Sequence, residues 1–524
     1  MMSSASPLLL VVPLLVLSIS SSIAHGAGAG GDQERRQRFT VVQTSHFQPQ
    51  SICSGLKAIP SGKNRTWVPL HRPYSPCSPS SSPSPPPPSL LEILRWDQVR
   101  TASVRRKAMS GHAGSHDDVA EYYPATPHVS VSQRDFALVS TFGIGSGAAG
   151  SLDDDDDGDP MVLAQTMAID TTIDIPWIQC RPCPPPQCYP QRNALFDPTK
   201  SFSAAAVPCG SRACRALGNY GNGCSNNSRR NKKKNKSKSN NSTGDCNYRV
   251  AYSDGRVSSG TYMTDILTIS PGTSFLNFRF GCSHGVRGSF SGETSGTMSL
   301  GGGRQSLLSQ TARAYGNAFS YCVPKPSASG FLSLGGAIND GDSDSDSPSS
   351  FVTTPLMRNA RIVNPTYYVV RLQGIDVAGR RLNVPPVVFS GGTLMDSSAV
   401  VTQLPPTAYR ALRLAFRNAM RGYRMNTRNG STSSTPAGGE MILDTCYDFE
   451  GLDNVTVPTV SLVFFGGAVV DLDPTTAVMM EGCLAFVPTP ADFDLGFIGN
   501  VQQQTHEVLY DVGARNVGFR RGAC

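Results

Sequence analysis

Two aspartates carry the most suggestive chemistry in the chain. Ala168-Ile169-Asp170-Thr171-Thr172 closes one apolar run, and Leu394-Met395-Asp396-Ser397-Ser398 closes another, 226 residues later. Each Asp follows two apolar residues and precedes a small hydroxylated one. Two carboxylates held in contact cannot both ionise, so one keeps its proton. Such a pair can hold a water, deprotonate it and protonate a departing amine. On spacing alone, the same pattern also fits a strand-end Asp that caps a turn. Other chemistries find less material. Only His284 and His506 follow residue 128, there is no G-x-S-x-G, and no two histidines after residue 128 stand at metal-ligand spacing. A Ser-His-Asp or Cys-His enzyme needs a histidine base, and a zinc hydrolase needs clustered ligands. No G-x-x-x-x-G-K-[ST] is present to cradle phosphate. The sequence therefore calls for no metal and no cofactor.

The elements that must position these aspartates read as short strands. From about Asp135 onward, apolar or alternating runs such as Met161–Ile169, Tyr248–Tyr252, Tyr367–Leu372, Val460–Phe465 and Glu507–Tyr510 are separated by Gly, Pro, Asn and Ser. The 51 Gly and 39 Pro suit a turn-rich, all-β architecture. Few helical windows interrupt it, and Pro406–Met420 is the clearest. The likeness between the two Asp segments suggests an internal duplication that brings both together at a two-fold-like junction. Upstream the texture differs. A Ser/Pro tract over Ser75 to Ser89 predicts extended or polyproline chain. Ser89-Leu90-Leu91-Glu92 is a capping-box pattern. The helix it starts sets Ile93, Leu94, Trp96 and Val99 among Arg95, Arg100, Arg105, Arg106 and Lys107. A basic amphipathic helix of this kind either lies on the surface or covers something acidic.

The apolar run Leu8 to Leu17, followed by small residues, predicts a secretory signal peptide cleaved near Gly26. Its core of about 10 residues falls short of the roughly 20 that a span needs. A secretory route agrees with the Asn-x-Ser/Thr acceptors at Asn64, Asn226, Asn235, Asn240, Asn241, Asn429 and Asn454. It also agrees with 14 cysteines, two before residue 130 (Cys53, Cys77) and twelve in the β region, enough there for six bridges. The formal charge of +7 comes from 46 Lys+Arg against 39 Asp+Glu. The segment Arg229–Lys238 alone holds seven basic residues, so the remainder is balanced. That run lacks the interleaved aromatics of a nucleic-acid site, and the acidic run Asp153–Asp159 lacks a calcium-loop pattern. Both read as solvated loops.

Several longer motifs resemble the plant nepenthesin-like branch of the pepsin-type aspartic proteases. They are Trp177-Ile178-Gln179-Cys180 with Cys183 and Cys188, then Leu195-Phe196-Asp197-Pro198; Val207-Pro208-Cys209 with Cys214; and Tyr252-Ser253-Asp254-Gly255. The C-terminal motifs are Phe497-Ile498-Gly499-Asn500-Val501-Gln502-Gln503 and Val517-Gly518-Phe519 to Cys524. Val68-Pro69-Leu70-His71-Arg72 and Pro76-Cys77-Ser78-Pro79 resemble the propeptide of that family. The resemblance implies a pepsin-like bilobal fold, two pseudo-symmetric β lobes with a central cleft. It implies Asp170 and Asp396 as the catalytic dyad, Thr171, Thr172, Ser397 and Ser398 in support, Tyr252 on the flap and Trp177 beside the cleft. It also implies a Cys446–Cys483 bridge and an inhibitory propeptide removed at low pH. The corresponding map is a signal peptide at 1–26, a propeptide at 27–134, an N-terminal lobe at 135–355 and a C-terminal lobe at 356–524.

The motifs depart from the family pattern at the centre. That pattern is Asp-Thr/Ser-Gly followed by Ser or Thr. Here Thr172 and Ser398 stand in place of the glycines, and Ile173 and Ala399 in place of the outer hydroxyls. The apolar-apolar-Gly expected behind the first Asp reads Thr297-Met298-Ser299, while Gly499 is retained in the second half. Thr172 and Ser398 could supply replacement hydroxyls. The leading expectation is an aspartic endopeptidase, weakened by these changes and acting on polypeptides. The alternative is a catalytically silent binding or inhibitor protein on the same fold. A lesser one is nucleic-acid binding through Arg229–Lys238. The expected product is a monomer delivered to the apoplast or the vacuole, with no membrane attachment once the signal is removed.

Overall fold

The structure, a computed structural model, describes residues 38–48, 52–60, 65–72, 75–78, 89–109, 138–146, 162–225, 244–252, 255–288, 290, 292–325, 327–336, 350–357, 365–426, 443–522 and 524. The signal peptide, the acidic and basic runs, most of the Ser/Pro tract, the 134/135 boundary and every Asn-x-Ser/Thr acceptor except Asn454 lie outside them. Asn454 is exposed on the strand Asn454–Pro458.

Strands dominate. A nine-stranded sheet is built from residues 139–299, and five- and four-stranded sheets from residues 369–498. A six-stranded sheet carries Val352–Pro355, Asn516–Arg521, His506–Asp511, Ala318–Cys322, Gly330–Leu334 and Thr66–Leu70, in that order. The runs read from the sequence form strands at Leu163–Asp170, Cys246–Ala251, Val460–Phe464 and His506–Asp511. Their β-branched and aromatic residues suit a pleated, half-buried surface. The predicted helix forms at Pro406–Ala419 and buries Ala408, Tyr409, Leu412 and Phe416, the i, i+4 and i+8 stripe that faces a sheet.

The duplication expected from the two Asp segments is visible in the strand pairing. In one half, the strand ending at Asp170 runs parallel to Gly296–Ser299, with Thr297 opposite Ala168 and Ser299 opposite Asp170. In the other, Thr393–Met395, just before Asp396, runs parallel to Gly496–Ile498, with Thr393 opposite Gly496 and Met395 opposite Ile498. Parallel neighbours tie each Asp loop to a second strand end. Gly499 follows the second of these strands because a Cβ there would stand 2.5 Å from the Val400 carbonyl oxygen.

The six-stranded sheet supports the Asp loops from below. Phe319 and Tyr510 stack with centroids 4.6 Å apart, and the Tyr321 and Tyr510 hydroxyls meet at 2.7 Å. Tyr321 donates to Gln503 Oε1 (2.5 Å), whose Nε2 donates to the Asp396 carbonyl (3.1 Å). Asn500 Nδ2 donates to the Ser397 carbonyl (3.2 Å). The polar Asn500–Gln503 run is thus a scaffold for the second Asp loop.

All 14 cysteines pair. Cys446–Cys483 forms as the family resemblance implied. The other β-region pairs are Cys180–Cys282, Cys183–Cys188, Cys209–Cys224, Cys214–Cys246 and Cys322–Cys524, and Cys53–Cys77 closes a loop in the N-terminal segment.

The N-terminal segment is woven into this body. Phe39–Gln43 pairs antiparallel with Asn454–Pro458, and Thr66–Leu70 adds an edge to Gly330–Leu334. Arg65 donates to the buried Glu507 carboxylate (2.8 Å). The helix expected after Ser89 spans Leu90–Met109. Its capping box is formed: the Glu92 carboxylate accepts from the Ser89 backbone N–H (2.8 Å), and Ser89 Oγ accepts from the Glu92 N–H (3.3 Å). Among the described residues, no helix is long and apolar enough to cross a membrane.

Candidate active site

Asp170 ends its strand and Asp396 follows its own, and the two loops meet back to back. The Thr171 backbone N–H donates to Ser397 Oγ (3.3 Å), and the Ser397 N–H returns a bond to Thr171 Oγ1 (3.2 Å). The two hydroxyls are 3.3 Å apart. This reciprocal, buried exchange fixes one loop on the other.

Each carboxylate is oriented locally. Asp170 Oδ1 accepts from the Thr172 backbone N–H (2.7 Å) and from Thr172 Oγ1 (2.6 Å). Asp396 Oδ1 accepts from the backbone N–H of Ser398 (2.9 Å) and of Ala399 (3.1 Å). The two candidate replacement hydroxyls therefore behave differently. Thr172 bonds its carboxylate, whereas Ser398 Oγ donates away, to the Ile169 carbonyl (3.4 Å). The backbone N–H groups of Ser398 and Ala399 already bond Asp396 Oδ1, and the Ser398 hydroxyl turns to the Ile169 carbonyl across the junction. Ser299, in place of the glycine behind Asp170, donates its hydroxyl to the Asp174 carbonyl (2.8 Å). Burial pushes the Asp170 carboxyl up, Arg100 opposes this, and Asp396 adds to the rise.

Tyr252 and Trp177 are brought together as well. Trp177 is fully buried, which makes it core, yet its Nε1 donates to Tyr252 Oη (2.8 Å). The Tyr252 hydroxyl also meets Thr297 Oγ1 at 2.9 Å. Thr297 precedes the strand end behind Asp170, so the chain links the tyrosine to the dyad floor. Residues 253 and 254, the expected turn, lie outside the described residues; Gly255 takes φ +86°.

What the sequence left undecided is the role of the basic helix. One stripe of Leu90–Met109 faces the junction: Asp97, Arg100, Thr101, Val104, Arg105 and Ala108 are all buried. Arg100 Nη1 donates to Asp396 Oδ2 at 2.7 Å, and Nη2 lies 3.6 Å from Asp170 Oδ1 and 3.1 Å from Thr172 Oγ1. One guanidinium thus stands between both carboxylates. Burial alone would lower the Arg100 guanidinium, but Asp396 and Asp170 hold it well above its ordinary value. One turn earlier, the Asp97 carboxylate accepts from the backbone N–H groups of Val400 (2.9 Å) and Val401 (3.3 Å). Burial outweighs these bonds and pushes its pKa up to about 7. The helix seats on the second half through Leu94 against Val400 and Val401, and through Val104 and Ala108 against Leu394, Leu495 and Phe497. Sequence reasoning missed Arg100, Asp97 and Gln503 as site residues. The i, i+3, i+4, i+8 spacing of the polar residues Asp97, Arg100, Thr101 and Arg105 was the available signal for the first two.

Residues 156–336 match the family described as Xylanase inhibitor N-terminal, and residues 367–521 match Xylanase inhibitor C-terminal. An Aspartyl protease family protein of Arabidopsis thaliana is 31% identical over 523 residues, covering 98% of each chain. The chain is a member of the plant pepsin-like aspartic protease family. Aspartic proteinase nepenthesin-2 of Nepenthes gracilis is 31% identical over 372 residues, covering 68% of this chain and 74% of its own. The Arabidopsis Protein ASPARTIC PROTEASE IN GUARD CELL 2 is 35% identical over 371 residues, 69% and 70% of the two chains. Among solved structures, edgp matches with a TM-score of 0.55 at 14% identity over 89% of this chain and 98% of its own. Conglutin gamma, a basic 7S globulin from lupine seeds, matches with 0.51 at 17% over 74% and 92%. At these identities the solved structures speak for the fold, the all-β, two-lobed pepsin-like architecture. Among the described residues, no three His, Cys, Asp or Glu side chains group to hold a metal.

Proposed function

We propose that this protein is an aspartic endopeptidase made as a self-blocked precursor. The observation that carries the reading is the single Arg100 guanidinium held between Asp170 and Asp396. A lone buried cation is costly unless paired, and here two carboxylates pair it. With the helix gone, the place of that cation, between acceptor oxygens of both carboxylates, suits a water. Asp170 then takes the acid role, because burial and Asp396 both raise its carboxyl once Arg100 no longer lowers it. Asp396 acts as base on the water. The water oxygen adds to the carbonyl carbon, its proton passes to Asp396, and Asp170 protonates the carbonyl oxygen. Asp396 then passes its proton to the amide nitrogen, a hydroxyl of the tetrahedral diol returns a proton to Asp170, and the C–N bond breaks to leave a carboxylic acid and an amine. Thr172 holds the Asp170 carboxylate in line, Thr171 and Ser397 lock the two loops together, and Tyr252, held by Trp177 from the core, covers the bound chain. Residues 27–134 serve as propeptide, after secretion directed by residues 1–26.

The test is cleavage of a denatured protein at acidic pH by the full-length chain after maturation. The expected result is cleavage that pepstatin blocks and Asp170→Asn abolishes. Absence of cleavage at high concentration of matured protein would overturn the reading. A second reading, a silent binding or inhibitor protein, draws on Thr172 and Ser398 at the motif glycines and on the description of the two matched families. It requires a protein partner whose binding Asp170→Asn leaves unchanged.

A further inference from the structure

The helix in the cleft carries a second buried guanidinium that the dyad does not explain. Arg105 lies five residues beyond Arg100 and is 7% exposed. Its Nε donates to the Leu495 carbonyl (2.9 Å), and Nη2 donates to Gln403 Oε1 (2.6 Å). Its guanidinium carbon stands 5.2 Å from the centroid of the Phe497 ring. Burial lowers this guanidinium, and Asp494 opposes that effect. Gln403, itself 1% exposed, donates Nε2 to Thr101 Oγ1 of the same helix (2.7 Å).

The walls of this pocket belong to the body of the protein. Gln403 lies on the strand Thr402–Leu404, opposite Phe497 of Gly496–Ile498. The latter strand runs parallel to the one that leads into Asp396, so the pocket keeps a fixed offset from the dyad. Two oxygen acceptors, an aromatic face and a nearby carboxylate make a cation site rather than an apolar one. Burying a guanidinium costs free energy that only matched acceptors offset, and a planar fork fits two acceptors and a π face better than an ammonium does. Strands hold Gln403 and Phe497, and Leu495 immediately precedes the second of them.

We propose that the Gln403–Leu495–Phe497 pocket is a substrate subsite for a basic side chain, arginine ahead of lysine, at one fixed position from the bond presented to Asp170 and Asp396. In the precursor, Arg105 occupies the place of that side chain. The proposal rests on the endopeptidase reading for the bond that is cut, but not for the binding.

The experiment uses the acid-matured full-length protein and two sets of peptides. The first is a mixed peptide library; Arg and Lys should be enriched at least fivefold at one position relative to the cut. The second is a series of hexapeptides with a central statine unit, differing only in Arg, Lys, citrulline or norleucine at each position, with binding read by calorimetry. At one position Arg should bind at least tenfold tighter than citrulline, its neutral isostere, and Gln403→Leu should shrink that ratio to threefold or less. Cleavage without enrichment, or equal binding of Arg and citrulline at every position, overturns the subsite. Absence of cleavage with a retained Arg preference in binding overturns the endopeptidase reading and leaves the subsite standing.

Discussion

Thr172 is the most informative single residue. It replaces a motif glycine, yet its hydroxyl reaches Asp170 Oδ1 at 2.6 Å. If that bond compensates for the outer hydroxyl lost at Ile173, Thr172→Val should lower kcat/KM by on the order of a hundredfold. Thr172→Ser should retain most of the activity, and steady-state kinetics on one peptide checks both. Asp97 makes a prediction about pH. Its carboxyl stands at about 7 in the seated helix, against an ordinary value near 4 once released. A raised carboxyl holds its proton more tightly when seated, so this group favours seating fully below the ordinary value. The benefit decays as pH rises and is gone above about 7. Trypsin cleavage at Arg106 and Lys107, corrected against an unfolded control, should therefore be faster at pH 8 than at pH 6, and Asp97→Asn should flatten the difference. The dyad was legible in the sequence because each Asp sits in a repeated local pattern. Arg100 was not, because its meaning depends on carboxylates 70 and 296 positions away; only its place on a basic helix could be read.

At the scale of elements, local signals translated well. Ser89 and Glu92 form the capping box that their spacing announced, and the 406–419 helix follows its apolar stripe. Ser89→Ala should cost the helix about 1 kcal/mol, which corresponds to roughly fivefold faster trypsin cleavage within it. The strands Phe39–Gln43 and Thr66–Leu70 were less legible. Each completes a sheet whose other strands come from more than 200 residues downstream, and edge pairing of that kind leaves no periodic mark of its own. The Ser398 hydroxyl teaches the same lesson in miniature. Its residue type fitted a carboxylate partner, but the backbone had already satisfied that oxygen.

Across the whole molecule, the N-terminal segment contributes at separated places: the Phe39–Gln43 edge, the adjoining Arg65–Glu507 pair and Thr66–Leu70 edge, and the cleft helix. Glu507 is fully buried and is also bonded by Ser320 Oγ (2.6 Å) and paired with Arg520. Removing residues 38–109 strips one cation from it and uncovers the Gly330–Leu334 edge. The matured body should unfold at a lower temperature than the full-length chain, at about 2–4 °C for each kcal/mol lost, as calorimetry would show. Covalent continuity gives the Arg100 contact a further property. While the chain is intact, the helix faces its cleft at an effective concentration in the millimolar range. A cut anywhere within 110–137 turns the same helix into a separate ligand whose return depends on dilution. The Cys53–Cys77 bridge and both edge strands lie on the departing side of that cut, so they would leave with the helix as one piece. The blocked state would then be remembered in a crowded compartment and forgotten in a large volume, making the protein a sensor of the space into which it is released.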